Sequence, residues 1–190
     1  MRHRKRIAAV GLAAALTAGS LGVLVPEAHG ATTANTSVNF TLTAGSLSIS
    51  APASANLSSG TATGTPSLSG NLGVTNVTDS RGNLTATWTV TVTSTNFTTG
   101  GASANETIPK ANVSYNSGAA TGTTGTGAFT PGVVASLSGT LPATQIGASW
   151  TGVSNNSATW NPTIGVTLLN TNSTTAVAGT YTGAITQSVA

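Results

Sequence analysis

Leu84-Thr85-Ala86-Thr87-Trp88-Thr89-Val90-Thr91-Val92 carries the clearest period-two pattern in the chain. Apolar side chains stand at every second position with threonine or another polar residue between them, so an extended chain puts Leu84, Ala86, Trp88, Val90 and Val92 on one face. A strand with one apolar and one hydroxyl face covers a core on one side only, as in an antiparallel sheet. Shorter alternations recur on both sides: Val38, Phe40, Leu42; Leu47, Ile49; Leu72, Val74; Val113, Tyr115; Ile164, Val166, Leu168; and Tyr181, Ile185, Val189. No segment carries helical periodicity. Short alternating runs separated by Gly, Pro and Asn predict an all-β chain, a single immunoglobulin-like antiparallel β-sandwich.

The joints follow from breaks in phase. Ala44 and Gly45 separate the even register of Val38 to Leu42 from the odd register of Leu47 and Ile49, which predicts a turn or bulge. Asp79-Ser80-Arg81-Gly82-Asn83 has turn composition and predicts the loop of a β-hairpin joining residues 72–78 to residues 84–95. The long strand is expected to bend near Ser94, because Val92 and Phe97 differ in phase. Residues 51–67 read as a crossover between sheets. Residues 98–107 and 116–132 read as long surface loops, being poor in large apolar side chains.

The chain has 190 residues, 5% of them charged, with a formal net charge of +3. Four of its six basic residues, Arg2, Arg4, Lys5 and Arg6, precede a small-apolar run from Ile7 to Val25, with Pro26, Ala28 and Gly30 behind it. This is the layout of a secretory signal peptide, residues 1–30, cleaved after Gly30. Residues 31–190 are then the folded domain, and their charges reduce to Asp79, Arg81, Glu106 and Lys110, which cancel. Nucleic acid is excluded as a partner, since counterion release needs clustered cations. No membrane association is expected once the signal is removed.

The catalytic inventory is equally sparse. Residues 31–190 contain no His or Cys and two carboxylates, so a Ser-His-Asp triad cannot form and no metal or cofactor site is expected. A hydrolase remains only as a remote alternative, through a Ser-Lys110 pair or through Asp79 and Glu106 flanking one cleft. Lys110 beside Glu106 or Asp79 is also a candidate for an intramolecular amide crosslink, which requires a buried, neutral lysine. The simpler expectation is that Ile108-Pro109-Lys110 opens an edge strand guarded by Pro and an exposed charge.

Trp88 is in phase with Val90 and is expected in the core. Trp150 and Trp160 flank the polar residues 151–159. They form either an exposed platform for possible glycan contact or the two ends of a hairpin packed on the core. Leu141-Pro142-Ala143-Thr144-Gln145 is only superficially like a sortase signal, because Gln145 stands where that signal needs glycine.

Three blocks together resemble the WxL domain, a secreted β-rich domain of Gram-positive surface proteins, in a divergent, actinobacterial form. The first is Gly45-Ser46-Leu47-Ser48-Ile49-Ser50-Ala51-Pro52. The second is Leu72-Gly73-Val74-Thr75-Asn76-Val77-Thr78-Asp79-Ser80-Arg81-Gly82, followed by Trp88-Thr89-Val90. The third is Ala178-Gly179-Thr180-Tyr181, leading to Ile185. Asp79, Arg81, Gly82, Trp88, Val90 and Tyr181 are the residues that match its motifs, although Val90 stands in place of the signature leucine and Gln187 in place of a second tryptophan. The resemblance implies noncovalent attachment to the cell wall, with peptidoglycan or other surface proteins as partners. An alternative, drawn from the uncharged and Thr-rich surface, is a structural subunit that self-associates by strand addition.

Overall fold

The computed structural model describes residues 33–62, 66–139 and 146–190. The signal segment 1–30 and residues 141–145 lie outside the described residues. Among the described residues of the unit Thr41–Ala190 there are twelve strands: β1 Leu47–Ser50, β2 Ser67–Asn71, β3 Thr75–Asp79, β4 Trp88–Ser94, β5 Phe97–Thr98, β6 Thr107–Ile108, β7 Val113–Asn116, β8 Gly122–Pro131, β9 Val133–Val134, β10 Ile146–Trp160, β11 Thr163–Thr167 and β12 Ile185–Val189. Two single 3-10 turns, Ala104–Glu106 and Lys110–Asn112, are the only helical elements among the described residues.

The spine is the fifteen-residue strand β10. One of its margins pairs with β8 over most of its length. The other pairs with β4 through Trp150↔Trp88 and with β3 through Asn156↔Asp79. β3 and β4 therefore lie end to end beside β10. β1 and β12 form the next rank, pairing with β3 and β4 respectively. The second sheet runs β2-β11-β7-β9, and all of its pairings are antiparallel. One core cluster joins the two sheets, Val77, Trp88, Val90 and Trp160 from the larger meeting Val113, Tyr115, Ile164 and Val166 from the smaller. Each fully buried Val or Ile contributes about 1.5–3 kcal/mol. The all-β antiparallel sandwich expected from the alternation is what this chain forms.

Several joints differ from expectation. β3 and β4 do not form a hairpin. Both run antiparallel to β10, and residues 80–87 are a detour whose backbone is tied to β10 by Ala86 N–H to Gly152 O and Ser154 N–H to Asn83 O. Leu84 consequently lies off the strand, 87% exposed, whereas Ala86, Trp88, Val90 and Val92 are buried as expected. β3 uses the odd register: Thr75, Val77 and Asp79 face inward, and Val74 is exposed.

Residues 122–131, expected in a loop, are the strand β8. Its threonines favour extended structure and need no large apolar side chains on an exposed margin. Val38, Phe40 and Leu42 lie in no strand at all. The passage from β1 in the larger sheet to β2 in the smaller, the break after Ser94 and the inward faces of β7 and β11 are as expected.

Candidate functional site

Asp79 is the last inward-facing residue of β3, and its side chain is fully buried. A buried carboxylate is costly unless paired and hydrogen-bonded. Arg81, two residues on, turns back to supply both needs. Its main-chain N–H donates to Asp79 Oδ1 at 3.0 Å, Nε to Oδ1 at 2.9 Å and Nη2 to Oδ2 at 2.8 Å. The fork is bidentate, the geometry that suits guanidinium to carboxylate. Nη2 also donates to Thr87 O at 2.8 Å, so one side chain closes the whole detour. Gly82 takes φ of 66°, which lets the chain turn away. The Arg81 bonds hold the Asp79 carboxyl below the usual carboxylate range, against the opposing push of burial.

Asn156 links this pair to the tryptophans. Its Oδ1 accepts from Trp88 Nε1 at 2.8 Å, and its side chain also helps to lower the Asp79 pKa. The motif residues Asp79, Arg81, Gly82 and Trp88 thus belong to one cluster, with Val90 beside it in the core. Tyr181 stands apart, its hydroxyl donating to Val177 O at 3.0 Å. The turn reading of residues 79–82 needs one correction: the carboxylate is interior, and the guanidinium rather than the acid meets water.

The glycan-platform reading of Trp150 and Trp160 is corrected by burial, since they are 2% and 0% exposed and neither offers a face to a sugar. The residues between them are the middle of β10 rather than a hairpin turn. Trp88 stacks on Trp150 with centroids 6.2 Å apart and on Trp160 at 6.3 Å, while Phe129 tilts across them, 5.3 Å from Trp160. The Trp150 N–H has no hydrogen-bond partner and lies under the cross-strand pair Gly127 and Gly152. A Cβ on Gly152 would sit 2.5 Å from it.

The second feature, not foreseen in the sequence, is a half-open groove of about 210 Å³ beside β12. It is lined by residues 51–55 with Leu57, Leu72, Phe97, Ile164, Ile185 and Gln187 among others. Gln187 forms its polar floor. Trp160 Nε1 donates to Tyr115 Oη at 3.1 Å, Tyr115 donates to Gln187 Oε1 at 2.9 Å, and Gln187 Nε2 donates to Thr75 Oγ1 at 3.2 Å. Burial pushes the Tyr115 hydroxyl up to about 12. The position where the resembled motif carries tryptophan is therefore filled by an amide that satisfies two interior hydroxyls. The only hint of the groove in the sequence was the out-of-phase Phe97, facing small residues at 51–55.

No titratable side chain lines the groove. Asp79 is enclosed behind Arg81, and Glu106 accepts from Ser103 N and Oγ at 3.1 and 2.7 Å, so the two carboxylates do not flank a cleft. Among the described residues the one ion pair is Asp79–Arg81; Lys110 pairs with neither acid, and its main-chain N–H donates to Asn96 Oδ1. β6 ends at Ile108, which is buried, and Pro109 caps the following 3-10 turn, so residues 108–110 do not open an edge strand. No family model matches the chain, and no curated protein or solved structure matches it either.

Proposed function

We propose that this is an exported, non-enzymatic protein of the cell surface that acts by noncovalent contact, as a structural subunit associating with copies of itself through strand edges. The observation that carries the reading is the chemistry of the larger sheet's margins. β8 on one side and β1 with β12 on the other contain no Asp, Glu, Lys or Arg. Charged side chains are the usual guard against edge-to-edge pairing, and without them an exposed ladder is open to a neighbour. The acid-base groups supply nothing that competes with this reading: one carboxylate is neutralised by Arg81 and the other caps a turn. Export rests on the signal-like residues 1–30.

Sedimentation velocity of the exported protein over a concentration series, with electron microscopy of the same sample, tests the proposal. Concentration-dependent assemblies are expected, and a monomer at every concentration would overturn it. Attachment to the cell wall is a second reading, supported by the WxL-like blocks and by the intact Asp79-Arg81-Gly82 turn. Co-sedimentation with isolated peptidoglycan tests it separately.

A further inference from the structure

We infer that residues 37–43 of one copy add as a strand to the outer margin of β12 in a second copy, seating Val38, Phe40 and Leu42 in the groove beside Ile185 and Gln187. The inference rests on the proposed self-association and names its two halves. The donor is Ser37-Val38-Asn39-Phe40-Thr41-Leu42-Thr43, a strict alternation of apolar and polar residues with strong strand formers. Yet Val38, Phe40 and Leu42 are 79%, 81% and 86% exposed, and no backbone hydrogen bond is made before Gly45 among the described residues of this end. Three large apolar side chains presented to water at period two form half of an interface.

β12 supplies the other half. Among the described residues its one ladder partner is β4, which leaves the N–H and C=O groups of its second margin open. Ile185, Gln187 and Val189 face inward but are only half-buried, because the groove opens at this margin. A strand laid there would repeat their spacing of two residues and drop its apolar side chains between the sheets, leaving Ser37, Asn39, Thr41 and Thr43 in water. The β8 margin offers no such space: its inward side is filled by Phe129 and by the Trp150 indole under Gly127 and Gly152.

A second copy is the occupant because of where the segment is tethered. Gly45 N–H donates to Ser80 O and Ser80 N–H to Ser46 O, which binds the chain into the same rank that holds β12. Its own residues 37–43 would have to leave that rank and return beside it within the two residues Ala44 and Gly45. Another chain's segment has no such constraint, and neither half carries a charge to oppose docking.

The exported protein without cysteine gives a clean test. Phe40→Asp is expected to weaken self-association about ten- to hundredfold in sedimentation velocity, with an unchanged melting temperature because Phe40 packs on nothing. Mixing Thr41→Cys with Thr186→Cys chains, which lie on the same water-facing side of the joined strands, is expected to give a disulfide-linked heterodimer under mild oxidation. Wild-type assembly that Phe40→Asp leaves intact, with no heterodimer, would overturn this docking while the self-association reading stands. A monomer at all concentrations would overturn both. A disulfide formed within single chains of the Thr41→Cys/Thr186→Cys double variant would replace the second copy by the chain's own segment.

Discussion

The Asp79 end of the sandwich and its β12 margin both hold polar groups against tryptophan, yet they stand in opposite relation to water. At the Asp79 end, Trp88, Asn156 and the carboxylate are enclosed, and Arg81 is the one member that reaches solvent. At the β12 margin, Trp160 and Tyr115 are enclosed, but Gln187 sits in a groove open to the outside. The first network completes itself within one chain. The second ends at the open outer margin of β12 and a gap bordered by half-buried apolar side chains. Substitutions should therefore cost more at the first than at the second.

The largest effect is expected from Trp88→Ala, which empties the centre of the aromatic stack and leaves Asn156 Oδ1 without its donor. A loss of about 3–5 kcal/mol is expected in denaturant unfolding. A loss under about 1 kcal/mol would mean that the stack is not what joins the two sheets.

Arg81→Ala comes next. It strands a buried carboxylate, at a cost of about 3 kcal/mol near neutral pH. The acid dependence supplies the sharper readout. In the wild type the Asp79 carboxyl titrates below its ordinary value of 3.8, so its contribution is present above that value and fades as the pH falls through the lowered one. Without the Arg81 side chain the largest cause of the lowering is gone, while burial, the main-chain N–H of residue 81 and Asn156 remain, so the loss of stability in acid should be smaller in the variant than in the wild type. Parallel pH profiles for the two proteins would show that the pair does not hold this end closed.

Gly152→Ala probes how tightly the β8 side is sealed. The added methyl meets Thr126 O and approaches Trp150 Nε1, and the backbone on one side of that contact must move. A loss of about 1–3 kcal/mol is expected. A neutral outcome would make the β8 margin as loose as the β12 margin.

The contrast also separates what was legible in the sequence from what was not. The inward faces of β4, β7 and β11 could be read because Trp88-Val90-Val92, Val113-Tyr115 and Ile164-Val166 alternate with polar residues, and alternation is a local property. The partner of a strand is not local. Residues 79–83 show by composition that the chain leaves β3, but which margin it rejoins is set by β10, more than sixty residues later in the chain. Turn composition assigns Asp79 to the loop, although its phase with Thr75 and Val77 makes it the last inward residue of β3, and the Asp79-x-Arg81 spacing marks a side chain able to bring its own counter-ion inside. β8 was invisible because a Thr/Gly strand at a margin carries no apolar alternation. Val38 to Leu42 differ in the opposite way: the alternation is real, but these residues form no strand.

The smallest effect is expected at Gln187. Replacing it by leucine removes the acceptor of the Tyr115 hydroxyl and the donor to Thr75 Oγ1, which in a sealed core would leave two unsatisfied groups. Gln187 itself lines the groove whereas Asn156 is enclosed, so water can replace the lost amide bonds more readily here, and a cost of about 1 kcal/mol is expected, less than half that of Asn156→Ala at the enclosed end. Tyr115 itself reports how closed the site is. Its hydroxyl ionises near 12 in the folded chain, against an ordinary value of 10.0. The unfolded chain therefore loses this proton first, and the stabilising contribution, complete below about pH 10, is lost as the pH rises toward 12. Tyr115→Phe should flatten that alkaline decline. If Gln187→Leu destabilises as much as Asn156→Ala, the β12 margin is closed to water and the distinction between the two ends fails.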